Sequence, residues 1–192
     1  MRDTATAPAV RTVDGLELPA GGTWSIDASH SSVNFKVKHL GLAETRGRFT
    51  RFEGTVEIGE DPADTVVAGE IDAASVNTDD SRRDEHLRGA NFFDVEHHPS
   101  LSFRSTRVWG RADEWKLEGE LTVAGVTRPV VLDFTYEGVA VDPWGGTRAG
   151  FTAIGQLNRE DWGLGWNAVL EAGGFLVGKT VIIELAVELI KS

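Results

Sequence analysis

Apolar and polar residues alternate with a period of two along most of the chain from Thr23 onward, as strands that bury one face require. In SVNFKVKHL, Val33, Phe35, Val37 and then His39 share one face, while Asn34, Lys36 and Lys38 share the other. EWKLEGELTV sets Trp115, Leu117, Leu121 and Val123 against Lys116, Glu118, Glu120 and Thr122. PVVLDFTYEG repeats this with Val130, Leu132, Phe134 and Tyr136, and TRAGFTAIGQL with Ala149, Phe151, Ala153 and Leu157. KTVIIELAVELIK aligns Val181, Ile183, Leu185, Val187 and Leu189. Residues 46–58, 65–76 and 100–109, the last carrying Phe103, are less regular but still strand-like. In the first of these, Phe49 falls out of phase with Phe52, Val56 and Ile58, which predicts a bulge after Gly47 or Gly54. About eight strands separated by Gly, Pro and Asp turns predict an all-β sandwich or barrel.

Helical signal is scarce. Residues 80–88 are the best candidate, with Ser81 and Asp84 spaced as a capping box and Gly89 as a stop. Leu87 is the sole apolar residue of that stretch, so the helix belongs on the surface, near a barrel end. A second short helical or looped segment is expected over 162–174. Residues 1–22 show no period and read as a flexible tail, leaving 23–192 as the barrel domain.

Composition narrows the function classes. A chain of 192 residues with 41% hydrophobic content fits one soluble domain. Its net charge of −11 offers no global basic field to nucleic acid or anionic membrane. The absence of cysteine excludes disulfides, thiol catalysis and thiolate metal sites. No stretch approaches the roughly 18 uninterrupted apolar residues of a membrane span, and the first 22 lack the apolar core of a signal peptide. The expectation is a cytoplasmic protein with no nucleic-acid partner and no stable membrane insertion.

Candidate chemistry concentrates in SRRDEHLRGANFFDVEHHPSLSF, residues 81–103. Ser81, Asp84 and His86 supply residue types for hydrolysis, but Asp84 and His86 are two apart on a helix and do not face each other. A capped surface helix whose charges pair with neighbouring loops is the preferred reading. His97 and His98 are adjacent on extended chain and cannot chelate together, and the other histidines lack ligand spacing, so no metal site is predicted. His39 continues an inward face and is expected as a buried polar group, bonded to a backbone carbonyl or to a ligand head. Lys36, Lys38, Arg46, Arg48 and Arg51 face Glu44 alone within 36–51, a pattern suiting either a phosphate-binding rim or a solvated strand face. In NREDWGLGW, Arg159 and Asp161 are expected to pair, with Trp162 and Trp166 walling a cavity. Ala149, Ala153, Gly119 and Gly155 fall on apolar faces; either they leave interior room or larger neighbours fill it. Eight strands are compatible with both outcomes.

Several of these segments together resemble one family. TWSIDASHSSVNFKVKHLGLAETRGRF is similar to the opening of the YceI-like, polyisoprenoid-binding proteins, with W-x-I-D-x-x-H-S and a strand ending in K-H. The block ASVNTDDSRRDEHLRGANFFDVEHHPSLSF, then GELTVAGVTRPVVL, NREDWGLGW and LVGKTVIIEL follow in order across residues 23–190. The resemblance implies an eight-stranded antiparallel lipocalin-like barrel, commonly a homodimer, holding a polyisoprenoid or similar long-chain amphiphile as ligand with no further cofactor. On that reading Val33, Phe35, Val37, Phe49 and Phe103 line the lumen together with Phe151, Ala153 and Val187. His39, Arg83, Leu87, Arg159, Trp162 and Trp166 then stand at its mouth. Two other classes remain: an enzyme acting on an isoprenoid or quinone head group through His39, Asp84 or Arg159, and a filled structural barrel.

Overall fold

The computed structural model of the chain describes residues 9–13, 15–111, 114–168 and 175–192. Among them the strands are β1 (Val10–Val13), β2 (Leu16–Pro19), β3 (Gly22–Ile26), β4 (Ser32–His39), β5 (Ala43–Phe49), β6 (Phe52–Ile58) and β7 (Val66–Asp72). There follow β8 (Val76–Asn77), the helix α1 (Ser81–Arg88), then β9 (Ser100–Arg111), β10 (Glu114–Val123), β11 (Val126–Val141), β12 (Thr147–Asn158) and β13 (Val177–Lys191).

Six of these strands are halves of three longer ones. β3 pairs with β13 at residues 189–191 and β4 pairs with it along 181–186. β6 pairs with β3 while β5 pairs with β4, and β7 pairs with β6 while β8 pairs with β5. Taken so, eight antiparallel staves succeed one another in chain order, and β13 closes the ring between β12 and the β3/β4 stave. Closure removes the exposed edges that an open sheet of such strands would present.

The phase change at Phe49 is a break between β5 and β6, not a bulge after Gly47 or Gly54. Buried Ser75 causes it: its carbonyl accepts from the Thr50 N–H at 3.2 Å and its hydroxyl from the Arg51 N–H at 3.1 Å. Two backbone donors thus leave the ladder for a single residue.

The helix also differs in detail from its expected cap. Asp80, not Ser81, is the N-cap, and its carboxylate accepts from the N–H groups of Arg82 and Arg83 at 3.1 Å each. Asp84 is instead buried and accepts from the Thr78 N–H (2.8 Å) and hydroxyl (2.6 Å). Arg83 Nε donates to Thr78 Oγ1, and the Arg88 guanidinium donates to the carbonyls of Ala74 and Val76. The charges of residues 81–88 therefore clamp α1 to the β8 segment, with Leu87 packed on the core below.

The expectation of a flexible tail over 1–22 fails for residues 10–19, which form the β1–β2 hairpin. The V-R-T-V and L-E-L-P segments alternate around Gly15, whose φ of +82° suits the turn. Arg11 anchors the hairpin to the β6–β7 turn by donating to the Gly59 and Glu60 carbonyls, and Leu18 is buried. Residues 1–8 lie outside the described residues. Of the segment 162–174, the 3-10 turn Arg159–Trp162 covers the start, irregular chain follows to 168, and the remainder lies outside the described residues.

Strand order fixes two ends. α1 and the segments 40–42, 89–99, 124–125 and 159–168 cluster at one, the mouth; the 59–65 and 142–146 turns and the β1–β2 hairpin cluster at the other, the base.

Candidate functional site

Alternation turns one apolar face of every stave toward the axis, yet these faces do not fill the interior. Among the described residues, buried apolar side chains form two main clusters. One, near the mouth, includes Phe49, Val76, Leu101 and Trp162; the other, near the base, is Trp24, Val56, Ala149 and Leu189. Between them Trp115, Leu117, Phe134, Ile183 and Leu185 are only half-buried, because they face a cavity of about 750 Å³. That volume lies within the range of ligand pockets, about 300–1,000 Å³.

The bore is kept open by how large side chains lie on small ones. A Cβ placed on Gly47 would fall 2.3 Å from Phe35 Cζ, so the ring occupies the space above that glycine. Phe103 covers Gly119 and Leu132 covers Gly155 in the same way, at 2.4 and 2.3 Å. Each large group therefore lies along the wall instead of across the lumen. The glycines do not themselves provide the room; they lodge their neighbours. Ala149 is packed between Trp24 and Leu189, whereas Ala153 faces the lumen.

On the wall of this cavity the structure places Val33, Phe35, Val37, Phe49, Phe103, Phe151, Ala153 and Val187. At its mouth end it places Arg83, Leu87, Trp162 and Trp166. His86 stacks edge-on against Trp166 (4.4 Å between centroids) and Phe92 (5.1 Å), forming an aromatic collar. His39 is not a buried polar group: it is exposed at the lip, because β4 runs past the last closed turn of the barrel and its inward face there meets the opening. Asp80, Arg82 and Arg83 share this exposed lip, while the base is covered by buried Leu18 and Pro19 of the hairpin. Alternation puts Trp115, Leu117, Phe134 and Ile183 on inward faces; Leu18 and Pro19 carry no such signal, because their strands are only four residues long.

Arg159 lines the cavity and is 4% exposed. It does not pair with Asp161. The 3-10 turn points Arg159 inward and leaves Asp161 outside, so the guanidinium donates to the carbonyls of Gly178 (2.9 Å) and Leu164. Burial pushes its pKa down, offset in part by Glu160. Trp162 stands beside it, its indole N–H donating to the Leu121 carbonyl at 3.0 Å.

The basic run 36–51 does not converge on the lumen. Lys36 pairs with Glu184, Lys38 and Arg46 with Glu44, Arg48 with Asp79 and Arg51 with Asp72, and of the five Lys38 alone borders the cavity, next to His39 at the lip. The phosphate-rim alternative for Arg46, Arg48 and Arg51 is thereby replaced by the solvated-face one.

Near the base, Asp27, His30 and Glu188 approach one another as a metal site would. Arg148 occupies the cation position instead, donating to Asp27 (2.7 Å), Asp142 (2.9 Å) and Glu188. Bonds from Ser29, Arg148 and His30 hold the Asp27 carboxyl far below the usual carboxylate range. His97 pairs with Asp94 at 3.0 Å, and the His98 ring covers Gly125, so the adjacent histidines serve a turn.

Comparison with known proteins agrees with this geometry. The family model for the YceI-like domain matches residues 24–189. Protein YceI of Escherichia coli O157:H7 is 40% identical over 139 residues, covering 72% of this chain and 73% of its own. The crystal structure of Burkholderia cenocepacia BcnA superposes with a TM-score of 0.74 at 20% identity, over 85% of this chain and 98% of that one. A polyisoprenoid binding domain from Saccharophagus degradans superposes with a TM-score of 0.66 at 16% identity, over 88% and 98%. The last two speak for the fold.

Proposed function

The chain belongs to the YceI-like domain family, and from that premise we propose that its barrel binds and carries a long-chain apolar ligand of polyisoprenoid type, without chemical turnover. The observation that supports this most directly is the apolar cavity of about 750 Å³ between the two core clusters. A flexible hydrocarbon gains roughly 0.8 kcal/mol for each methylene removed from water. A chain of several isoprene units would bind by length alone, after the costs of association and ordering. Among the polar groups that line the cavity, His39, Arg83 and His86 stand at the mouth, where they would meet a head group. The fold neighbour from Saccharophagus degradans, described as a polyisoprenoid binding domain, favours the same ligand class.

The test is native mass spectrometry of freshly purified protein with organic extraction, set beside the variant Ala153→Trp. Ala153 lines the lumen, so the added indole should occupy ligand space, abolishing extractable lipid while the melting temperature holds. In a filled interior the same change is overpacking and costs about 1–3 kcal/mol. A wild-type protein that carries no lipid, together with an early-melting variant, would sink the proposal.

A further inference from the structure

We propose that the tip of the β4–β5 hairpin, with Phe175 beside it, docks the mouth of the barrel onto a lipid bilayer surface, so that ligand enters and leaves without crossing water. This rests on the lumen being a lipid carrier site. The argument begins with backbone strain. Leu40 (φ +55°) and Gly41 (φ +70°) both occupy the left-handed region, and the Leu42 N–H closes the turn on the His39 carbonyl at 3.0 Å. A turn with two left-handed central residues favours Asn-Gly there, because a side chain with a Cβ is strained at positive φ. Here the strained position holds a leucine that belongs to neither core cluster: Leu40 is 40% exposed and its neighbour Leu42 80%. A residue that is costly for the backbone and idle for the core points to a role outside the folded chain.

Position supplies the second argument. The Leu40 N–H donates to the Leu176 carbonyl at 2.9 Å, which sets the tip beside Phe175, itself 52% exposed. His39 and Leu176, adjoining these residues, line the cavity. The exposed apolar groups thus stand next to the opening.

Charge supplies the third. Lys38, Arg46 and Lys179 flank the tip and Phe175 against Glu44 and Glu160, a local surplus of cation in a chain of net −11. At the base, Trp144 is also exposed, but its end carries exposed Glu60, Asp61 and Asp64. An anionic surface would meet this one-charge surplus at the tip and a run of carboxylates at the base turn. Partial burial of Leu40, Leu42 and Phe175 with weak electrostatic help describes a reversible interfacial contact, not a span.

Flotation with vesicles of phosphatidylcholine, alone or mixed with phosphatidylglycerol, tests this. Wild-type protein should co-float, more with phosphatidylglycerol and less at high salt. The double variant L40N/L42S should bind vesicles about tenfold more weakly or worse, since two leucines carry much of the buried apolar area. It should melt no earlier than wild type, because asparagine tolerates the left-handed region. W144S should float as wild type does. Failure of the wild type to float on either vesicle, equal flotation of L40N/L42S, or an equal loss in W144S would each overturn the proposal. So would a tip that merely joins two copies, seen as L40N/L42S changing sedimentation with no vesicle binding by the wild type. Binding of a dansyl-labelled long-chain fatty acid in solution keeps the two ideas separate. It should be the same in wild type and L40N/L42S, and its absence in the wild type would count against the lumen and not against the tip.

Discussion

Each end of the barrel is closed around one buried tryptophan, but the two closures are built differently. At the base, Trp24 is fully buried, donates to the Ala20 carbonyl at 3.2 Å, and carries Lys191 Nζ 5.1 Å above its ring. The β1–β2 hairpin covers it, and Arg148 of β12 ties three carboxylates, from β13, the 27–31 link and the 142–146 turn. At the mouth, Trp162 is 4% exposed and donates to Leu121, yet it ends a single 3-10 turn beside an aromatic collar and an exposed lip. Packing alone is similar at the two ends. What differs is the number of ionic and backbone ties to sequence-distant segments, and more ties raise the cost of local opening. The base reads as a fixed floor and the mouth as the end where ligand passes.

The largest expected effect comes from removing either tryptophan. Trp24→Ala and Trp162→Ala should each lose about 3–5 kcal/mol in denaturant unfolding, the range for truncating a buried aromatic to alanine. Their local consequences should diverge. Trp24→Ala should expose the hairpin to limited proteolysis within residues 9–20. Trp162→Ala should leave the hairpin protected and speed release of a fluorescent fatty acid. Release accelerated equally by both variants would show that the base opens as readily as the mouth.

A smaller effect is expected from Arg148→Met, and it depends on pH. Asp27 and Asp142 have folded pKa values held below their ordinary 3.8, Asp27 by Ser29, Arg148 and His30 and Asp142 chiefly by Arg148. A depressed carboxyl contributes stability that is full above its unfolded value and is lost as pH falls through the folded one. Wild-type protein should therefore lose base-end stability progressively below about pH 4. Arg148→Met should lower the melting temperature at neutral pH, where it leaves three carboxylates facing one another, and should flatten the acid limb. Thermal melts from pH 2 to pH 7 read both features (the range spans the ordinary carboxyl values, about 4). An unchanged acid limb would remove Arg148 from the account of the base.

How much of this contrast was legible in the sequence follows from which forces carry it. Period-two alternation located all eight staves, because a strand with one wet face must alternate. It could not separate β5 from β6, since the break depends on Ser75, more than twenty residues away. It also missed the hairpin at 10–19, whose short strands are too brief to set a period and gain their order from Arg11 reaching the 59–65 turn. Inward-facing wall residues were readable for the same reason as the staves. The direction of Arg159 and the partner of Asp84 were not, because both are decided by where backbone carbonyls and a threonine arrive in space. The open bore was beyond composition as well: glycines on an inward face suggest space, but only the register shows rings lying over them.

The smallest expected effect is at the mouth and has the opposite sign on the pH axis. Asp94, by its hydrogen bond and then its charge, raises the pKa of His97 above the ordinary imidazole value of 6.5. A raised basic group contributes stability that is full below its unfolded pKa and is lost as pH rises through the folded one. The Asp94–His97 contact should therefore loosen as pH rises through the raised His97 value. Because His97 is 72% exposed, solvent screens the pair and the global melting temperature should barely move. The change should be visible locally, in amide exchange of residues 89–99, whose turn is built on the N–H groups of His97 and His98 donating to the Asp94 carbonyl. Asp94→Asn isolates the charge, since asparagine tolerates the φ of +48° found there. In that variant the His97 titration, followed by proton NMR, should return toward 6.5 and the pH dependence of exchange at 89–99 should disappear. Should the base-end amides of residues 10–19 instead show this neutral-range dependence, the two ends would be coupled, and a fixed floor beneath a separately opening mouth would be the wrong description.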